Sequence, residues 1–423
     1  MLKKLLFVLI YSIYWGLSAQ NYCSDPLLFL EVSSTWNLEK VPYCFDCPDF
    51  NNDERNYHLY MGIPDDNLWG EFPKRPVILA TPGYAFGNTA CGPFVCPFAN
   101  AISGQFSQYG YITVSVEYRQ DIGDFNFCLT PQEEVFRTHW RAVQDLRTAV
   151  QFVHDNADQY GFDADNIFLF ANSAGGIASL HSVFVEEEQE LYETKAGLQD
   201  AVSDLGPLPE RIEVQACMTI ATGIYSLDLL DETEETPLFL AHGMCDSVAA
   251  YQSGPMLGCP ALPTINGSYE IAAKAAQENI PVSFHAVDKL GHAWPQETGD
   301  SAAVLMRHWL KEQILCGEPE TESHYYLSDQ KECGPKDWNP IALGLTEQVH
   351  EIDLWFFDAA TSSLRLRTGM TEGAVYLYDL QGREIAQWPA RQNQLSLRNS
   401  INKGVFLLFE EGKAHAQRIL IQD

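Results

Sequence analysis

The stretch Asn166 to Gly176, NIFLFANSAGG, constrains this chain more than any other. Ile167 to Ala171 are five consecutive apolar residues, the pattern of a short, fully buried strand. Asn172, Ser173 and Ala174 follow at once, then Gly175 and Gly176, then an apolar-periodic run from Ile177 to Val185 that predicts a helix. A strand that turns sharply through a serine into a helix lifts the hydroxyl clear of the sheet, the geometry of a nucleophile elbow. Backbone and helix crowd such a turn, so the residues two before and two after the serine must be small. Ala171 and Gly175 occupy those places, where Gly is usual at both.

The elements around it alternate. Tyr57 to Ile63, Arg75 to Thr81 and Tyr111 to Tyr118 read as strands. Glu133 to Gln159 reads as a helix, with Trp140, Val143, Leu146, Val150, Val153 and Ala157 recurring every three or four residues and Gly161 closing it. Beyond the serine, Glu213 to Ala221, Pro237 to Ala241 and Val282 to Val287 are predicted strands, and Tyr269 to Asn279 and Ala302 to Leu315 are predicted helices. Such alternation implies an α/β fold, a mostly parallel sheet with helices on both faces. Residues 186–211 are a charged insertion of helical character, a candidate cap over the site. The Asp-rich YGFDADN stretch lacks the spacing of a calcium loop and reads as a turn and helix end.

A reactive serine needs a base to take its proton and a carboxylate to orient that base. In a wound parallel sheet the loops at the strand C-terminal ends converge, so both partners should follow later strands. Pro237 to Ala241 runs into HGMCD, which places Asp246 in the following loop. Val282 to Val287 runs into DKLGH, which does the same for His292. Asp228 and Asp231 are alternative acids, but they precede a strand instead of following one. His285 lies inside a strand, and His181 and His308 on helices, where a histidine is ordinarily structural. Backbone N–H groups for a developing oxyanion are expected from Ala174, at the helix N-terminus, and from Gly83 or Tyr84 after RPVILAT; Pro82 has none to give. Tyr84, Phe86 and Trp294 are candidates for pocket lining or for core.

With the run from Asp145 through Phe152 to Tyr160-Gly161-Phe162-Asp163, these motifs resemble the carboxylesterase and lipase branch of the α/β-hydrolases over residues 57–316. That branch has His-Gly-Gly-Gly where this chain has Thr81-Pro82-Gly83-Tyr84. The resemblance implies a serine ester hydrolase with Ser173 as nucleophile, His292 as base and Asp246 as its orienting acid. It implies no metal or organic cofactor, and an ester substrate that is a small molecule or is linked to polysaccharide. Two rivals stay open. One is a peptidase of the same fold, although only some thirty-five residues of the expected mature chain precede the first predicted strand. The other is a hydrolase-like surface protein that only binds, a kind that typically loses triad members.

The ends of the chain point outward from the cell. Lys3 and Lys4 precede an apolar run, Leu5 to Leu17, and Leu17-Ser18-Ala19 is a small-residue cleavage site, so residues 1–19 are expected to be a signal peptide. The run is short for a membrane span, and no second candidate span follows. Residues 20–56 read as a disulfide-stapled extension and 317–340 as a linker. Residues 341–423 lose the helical period and read as a small β-sandwich. VYLYDLQGREI, the short strand near Leu395, GVFLL and the closing RILIQD resemble a type IX secretion sorting domain, which implies the type IX secretion machinery as a partner and a secreted or surface-attached product. Eleven cysteines in such a chain argue for disulfides. Close pairing is expected for Cys91 with Cys96, Cys245 with Cys259 and Cys316 with Cys333. Cys23, Cys44, Cys47 and Cys128 would then staple the N-terminal region and a loop, with Cys217, in a buried strand, left free. The formal charge of −31 falls almost wholly before Pro340 and repels nucleic acid and anionic membranes.

Overall fold

The computed structural model describes residues 22–23, 29, 36–48, 53–64, 74–83, 85–86, 104–120, 127–231, 233–292 and 299–327; toward the C-terminus it describes 346–351, 355–358, 363–366, 374–379, 384–391, 394–396, 404–410 and 417–421. The expected signal peptide lies outside these residues.

The chain divides into two compact units, a larger one through Tyr325 with residues 332–348, and a smaller one of residues 326–331 and 349–423. The strands of the larger unit are β1 (Trp36–Pro48), β2 (Glu54–Pro64), β3 (Arg75–Thr81), β4 (Ile112–Val116), β5 (Phe162–Asn172), β6 (Ala216–Ile220), β7 (Gly223–Ile224), β8 (Leu238–Gly243), β9 (Ser253–Pro255), β10 (Thr264–Gly267), β11 (Val282–Val287) and β12 (Glu322–Leu327). Its main helices are α1 (Gln132–Asp155), α2 (Ser173–Phe184), α3 (Glu188–Thr194), α4 (Leu198–Val202), α5 (Ser268–Glu278) and α6 (Gly299–Trp309).

The central sheet runs in the order β1-β2-β4-β3-β5-β6-β8-β11-β12. From β4 to β11 every pairing is parallel, and β1 and β2 are antiparallel additions. Strands β3, β4, β6, β8 and β11 are buried at every position, as a parallel sheet covered on both faces requires. The chain runs from β3 to β4 on one side and returns to β5 on the other. The crevice beyond the carboxyl ends of β3 and β5 is therefore the switch point of the sheet. Register aligns the exits: Ala171 pairs with Thr81, Asn172 with Ile220, Ile220 with Ala241, and Gly243 with Val287. The loops after β3, β5, β8 and β11 thus open onto one rim.

Helices cover two faces. α1 and α2 pack against each other through His139 and His181, whose Nε2 and Nδ1 lie 3.1 Å apart. α6 instead meets the segment before β4, where its Arg307 donates to Gln105 O at 3.3 Å. The insertion at 186–211 forms α3 and α4 and is pinned to α1. Arg137 pairs with Asp204, Trp140 Nε1 donates to Gly206 O, and Tyr192 stacks on Trp140 at 5.3 Å. These contacts hold the insertion against α1.

Several elements depart from expectation. Residues 20–56 supply β1, a thirteen-residue edge strand, because Lys40 to Pro42 pair continuously with β2 despite their poor periodicity. The YGFDADN stretch opens β5: Phe162 pairs with Arg75, a register shift follows, and pairing resumes at Ile167. Asp163 collects Tyr22 Oη and Asn166 Nδ2 there. The polar run read as a linker contributes β12. Residues 247–267, assigned no element from the sequence, supply β9 and β10, which join β7 in a satellite antiparallel sheet. The smaller unit contains an antiparallel three-stranded and an antiparallel four-stranded sheet, the pair expected of a small sandwich. Its strand Glu384–Trp388 was not foreseen.

Disulfides join Cys23 to Cys316, Cys44 to Cys47 and Cys128 to Cys259. The expected pairs Cys245–Cys259 and Cys316–Cys333 are overturned: folding brings Cys128 within 5.1 Å of Cys259 and Cys23 within 5.5 Å of Cys316, Cα to Cα. Cys245 is disulfide-bonded elsewhere. Cys91, Cys96 and Cys333 lie outside the described residues. Cys217 is free and buried in β6, where burial pushes its thiol up to about 12. Among the described residues no helix is long and apolar enough to cross a membrane.

The His139–His181 pair makes the fold acid-sensitive. His181 Nδ1 donates to Ile177 O at 2.7 Å and its Nε2 accepts from Tyr225 N, so the neutral ring is fully satisfied. Burial holds His181 down to about 3 and His139 well below its ordinary value. Between about pH 6.5 and 3 the unfolded chain therefore binds protons that the native chain refuses, and stability falls as pH drops through that window. Thermal melts from pH 7 to 4 should show the decline, and His181→Gln should flatten it.

Candidate active site

The site begins with a strained residue. Asn172 ends β5 in extended conformation, and Ser173, the first residue of α2, has φ +50°. That left-handed backbone costs a non-glycine residue on the order of 1–2 kcal/mol. Crowding holds it there. A Cβ on Gly175 would fall 2.5 Å from both Thr81 O and Pro82 O, because the exit of β3 passes directly over the start of α2. A Cβ on Gly83 would fall 2.7 Å from Ser173 Cβ. Thr222 Oγ1 donates to Ser173 O at 2.9 Å from the other side. Ala171, two before the serine, is fully buried between Thr81 and Thr219, and the turn accommodates its methyl group.

Three distant side chains meet at this turn. His292 Nε2 lies 2.9 Å from Ser173 Oγ, and His292 Nδ1 lies 2.7 Å from Asp246 Oδ2. An ionised carboxylate only accepts, so Nδ1 carries the proton and the Nε2 lone pair accepts from the serine hydroxyl. Access is graded: the Asp246 side chain is wholly buried, Ser173 is 8% exposed and the His292 side chain 26% exposed. Burial acts to raise the Asp246 carboxyl, but hydrogen bonds and charge from His242 and His292 outweigh it and hold the group well below the usual carboxylate range. Oδ1 accepts from Val248 N (2.8 Å) and Ala249 N (3.0 Å), while Oδ2 accepts from His292 Nδ1 and, at 3.2 Å, His242 Nε2. His242 was passed over in the sequence, although HGMCD sets it four residues before Asp246 at the end of the same strand.

The expected oxyanion donors divide. Ala174 sits at the N-terminus of α2, where orphan N–H groups and the helix dipole favour negative charge. Gly83 N–H is engaged, donating to Asn172 Oδ1 at 2.8 Å, so the expectation that it stands free is corrected: the Asn172 side chain lies against the turn after β3 and takes it. Tyr118 Oη holds the same turn, donating to Pro82 O (2.7 Å) and Gly83 O (3.2 Å). Tyr84 and Trp294 lie outside the described residues. Phe86 is fully buried and meets His139 in a T-shaped ring contact, which makes it core.

The alternative acids go elsewhere. Asp231 accepts from Thr233 N and Oγ1, and Asp228 from Ser226. His285 stacks between Phe239 and His324. Among the described residues, no group of three or more His, Cys, Asp or Glu side chains is placed to hold a metal ion.

A family model described as BD-FAE matches residues 76–221, from β3 through the elbow to just past β6. Comparison with curated proteins finds no match. Among solved structures the chain is similar to Thermogutta terrifontis esterase 2 phosphoramylated by tabun, at 13% identity and TM-score 0.45 over 66% of this chain and 96% of that one. It is also similar to MGS-M1, an α/β hydrolase enzyme from a Medee basin deep-sea metagenome library, at 15% identity and TM-score 0.42 over 66% and 98%. The propionate-bound form of the Thermogutta terrifontis esterase gives 14% identity and TM-score 0.43 over 66% and 95%.

The crowding at Gly175 is directly testable. Gly175→Ala should destabilise the protein by about 1–3 kcal/mol in denaturant melts, because backbone must move to admit the methyl group. The same shift should slow fluorophosphonate labelling of Ser173 on the order of 100-fold.

Proposed function

We propose that this chain is a secreted serine carboxylic-ester hydrolase. The observation that carries the reading is the unbroken hydrogen-bonded line from Ser173 Oγ through His292 to Asp246 at the rim where the parallel strands end. Ser173 Oγ attacks the ester carbonyl as His292 Nε2 takes its proton. The tetrahedral oxyanion forms against the N-terminus of α2, with Ala174 N–H as donor. His292 returns the proton to the departing alcohol and leaves an acyl group on Ser173. Water, deprotonated by the same imidazole, releases the acid and restores the hydroxyl. Asp246 keeps the proton on Nδ1 throughout and stabilises the imidazolium formed in each half-reaction. The steps draw on Ser173, His292, Asp246, the Ala174 N–H and water, with no metal or organic cofactor called for. The substrate class is an ester, of a small molecule or attached to polysaccharide.

The reading extends to where the enzyme works. Disulfides at seven described cysteines fit an oxidising compartment. The paired antiparallel sheets of the smaller unit suit a sorting module that hands the protein to the type IX secretion machinery. In a host that carries that machinery, deletion of residues 349–423 should leave the product inside the cell, and unchanged export would remove the sorting role.

Chemistry is tested with nitrophenyl acetate, nitrophenyl butyrate and feruloyl esters, set against aminoacyl nitroanilides. Ester hydrolysis should dominate. Ser173→Ala should lower kcat by on the order of 10⁴–10⁶ and abolish fluorophosphonate labelling, and Asp246→Asn should lower it about 10⁴-fold. Faster turnover of the anilides would replace the esterase with a peptidase. Wild-type protein that neither labels nor turns over any ester would leave a binding protein.

A further inference from the structure

We infer that His242 is a positioning residue for the triad acid, a second imidazole that holds Asp246 from the side opposite His292. The inference rests on the serine-hydrolase reading above and deepens it.

His242 is the penultimate residue of β8 and has no exposed surface. Its Nε2 is 3.2 Å from Asp246 Oδ2 and 3.1 Å from Ala249 O. Both neighbours only accept, so Nε2 must carry a proton and donate to them. Nδ1 lies 2.8 Å from Ser268 Oγ, the first residue of α5. In the neutral ring that nitrogen is an acceptor, and the serine hydroxyl donates to it. Every polar atom of the ring is then used, and Tyr251 meets the ring edge to face at 5.6 Å. Ser268 Oγ, His242, Asp246, His292 and Ser173 Oγ form one hydrogen-bonded chain from the body of the unit to the rim.

This arrangement does something the three triad residues cannot. Oδ2 is shared by two imidazole N–H groups, and Oδ1 is fixed by two backbone N–H groups, so the carboxylate cannot rotate about its Cβ–Cγ bond without breaking four hydrogen bonds. The His242 donor also draws charge away from Oδ2 and so moderates the pull of Asp246 on the proton at His292 Nδ1. A fully buried histidine whose Nε2–H served only the core would have Ala249 O as a sufficient acceptor; here the same N–H is split toward the triad carboxylate.

Two amide substitutions separate the role from the packing. In His242→Gln the side-chain N–H reaches the position of Nε2 and still meets Asp246. In His242→Asn the amide stops at the position of Nδ1, where it meets Ser268 but not the carboxylate. The Asn variant should lose about tenfold in kcat with KM changed less than about twofold, the loss of one hydrogen bond to a charged group. The Gln variant should recover most of the rate and the wild-type KM. Equal kinetics for the two variants, or a shared failure to fold, overturns the inference, because His242 then serves the core and not Asp246. Wild-type protein with no Ser173-dependent ester hydrolysis fails the underlying reading instead, which the Ser173→Ala control detects on its own.

Discussion

Two neighbouring segments, the exit of β3 and the turn after β6, close within contact distance on the start of α2, and the site depends on that convergence. The exit of β3 crosses over Gly175, Gly83 lies on the Cβ of Ser173, and Thr222 hydrogen-bonds the Ser173 carbonyl from β6's side. A serine at φ +50° is uphill by itself. It persists because each neighbouring segment would have to move before the turn could relax, and those segments are anchored in strands buried at every position. The strain is thus carried by the sheet. The outcome is a hydroxyl held at a fixed place on the rim, where loops from later strands can reach it.

Electrostatics then fixes direction along the line of partners. A wholly buried carboxylate is costly unless its oxygens are satisfied, and Asp246 has two donors on each. Its charge stays in the protein interior, and the imidazole beside it is the partner that reaches solvent. The surrounding chain carries a large excess of acid, yet the site is set locally by these few hydrogen bonds. Tyr118 and Asn172 do comparable work on the other side of Ser173, tying down the turn after β3.

Much of this was legible in the sequence, because the residues concerned announce themselves locally. Apolar runs of five to seven residues gave the parallel strands, small residues around Ser173 gave the elbow, and position after a strand selected Asp246 and His292. What escaped was set by tertiary pairing. β1 has almost no periodicity and exists because β2 offers it a ladder. The segment 247–267 folds back as β9 and β10 on a two-residue strand, and it carries Cys259 to a cysteine 131 residues earlier. Close spacing along the chain was a poor guide to disulfides for the same reason. Gly83 was expected to present a free N–H, and only the placement of the Asn172 side chain reveals that it is occupied. His242 was hidden in plain view, since nothing in HGMCD distinguishes a histidine that points at the aspartate from one that fills the core.

The Cys23–Cys316 bond has a consequence for how the larger unit comes into being. Its partners are 293 residues apart in sequence, and the bond ties the start of the unit to the helical turn after α6. The oxidised unit is a covalent ring, so a nick in a surface loop opens the ring without releasing either fragment. The ring also closes late in synthesis: Cys23 cannot meet its partner until residue 316, beyond β11, has been made. In the folded unit the two Cα atoms lie 5.5 Å apart, so the crosslink joins chain positions that the fold itself holds close.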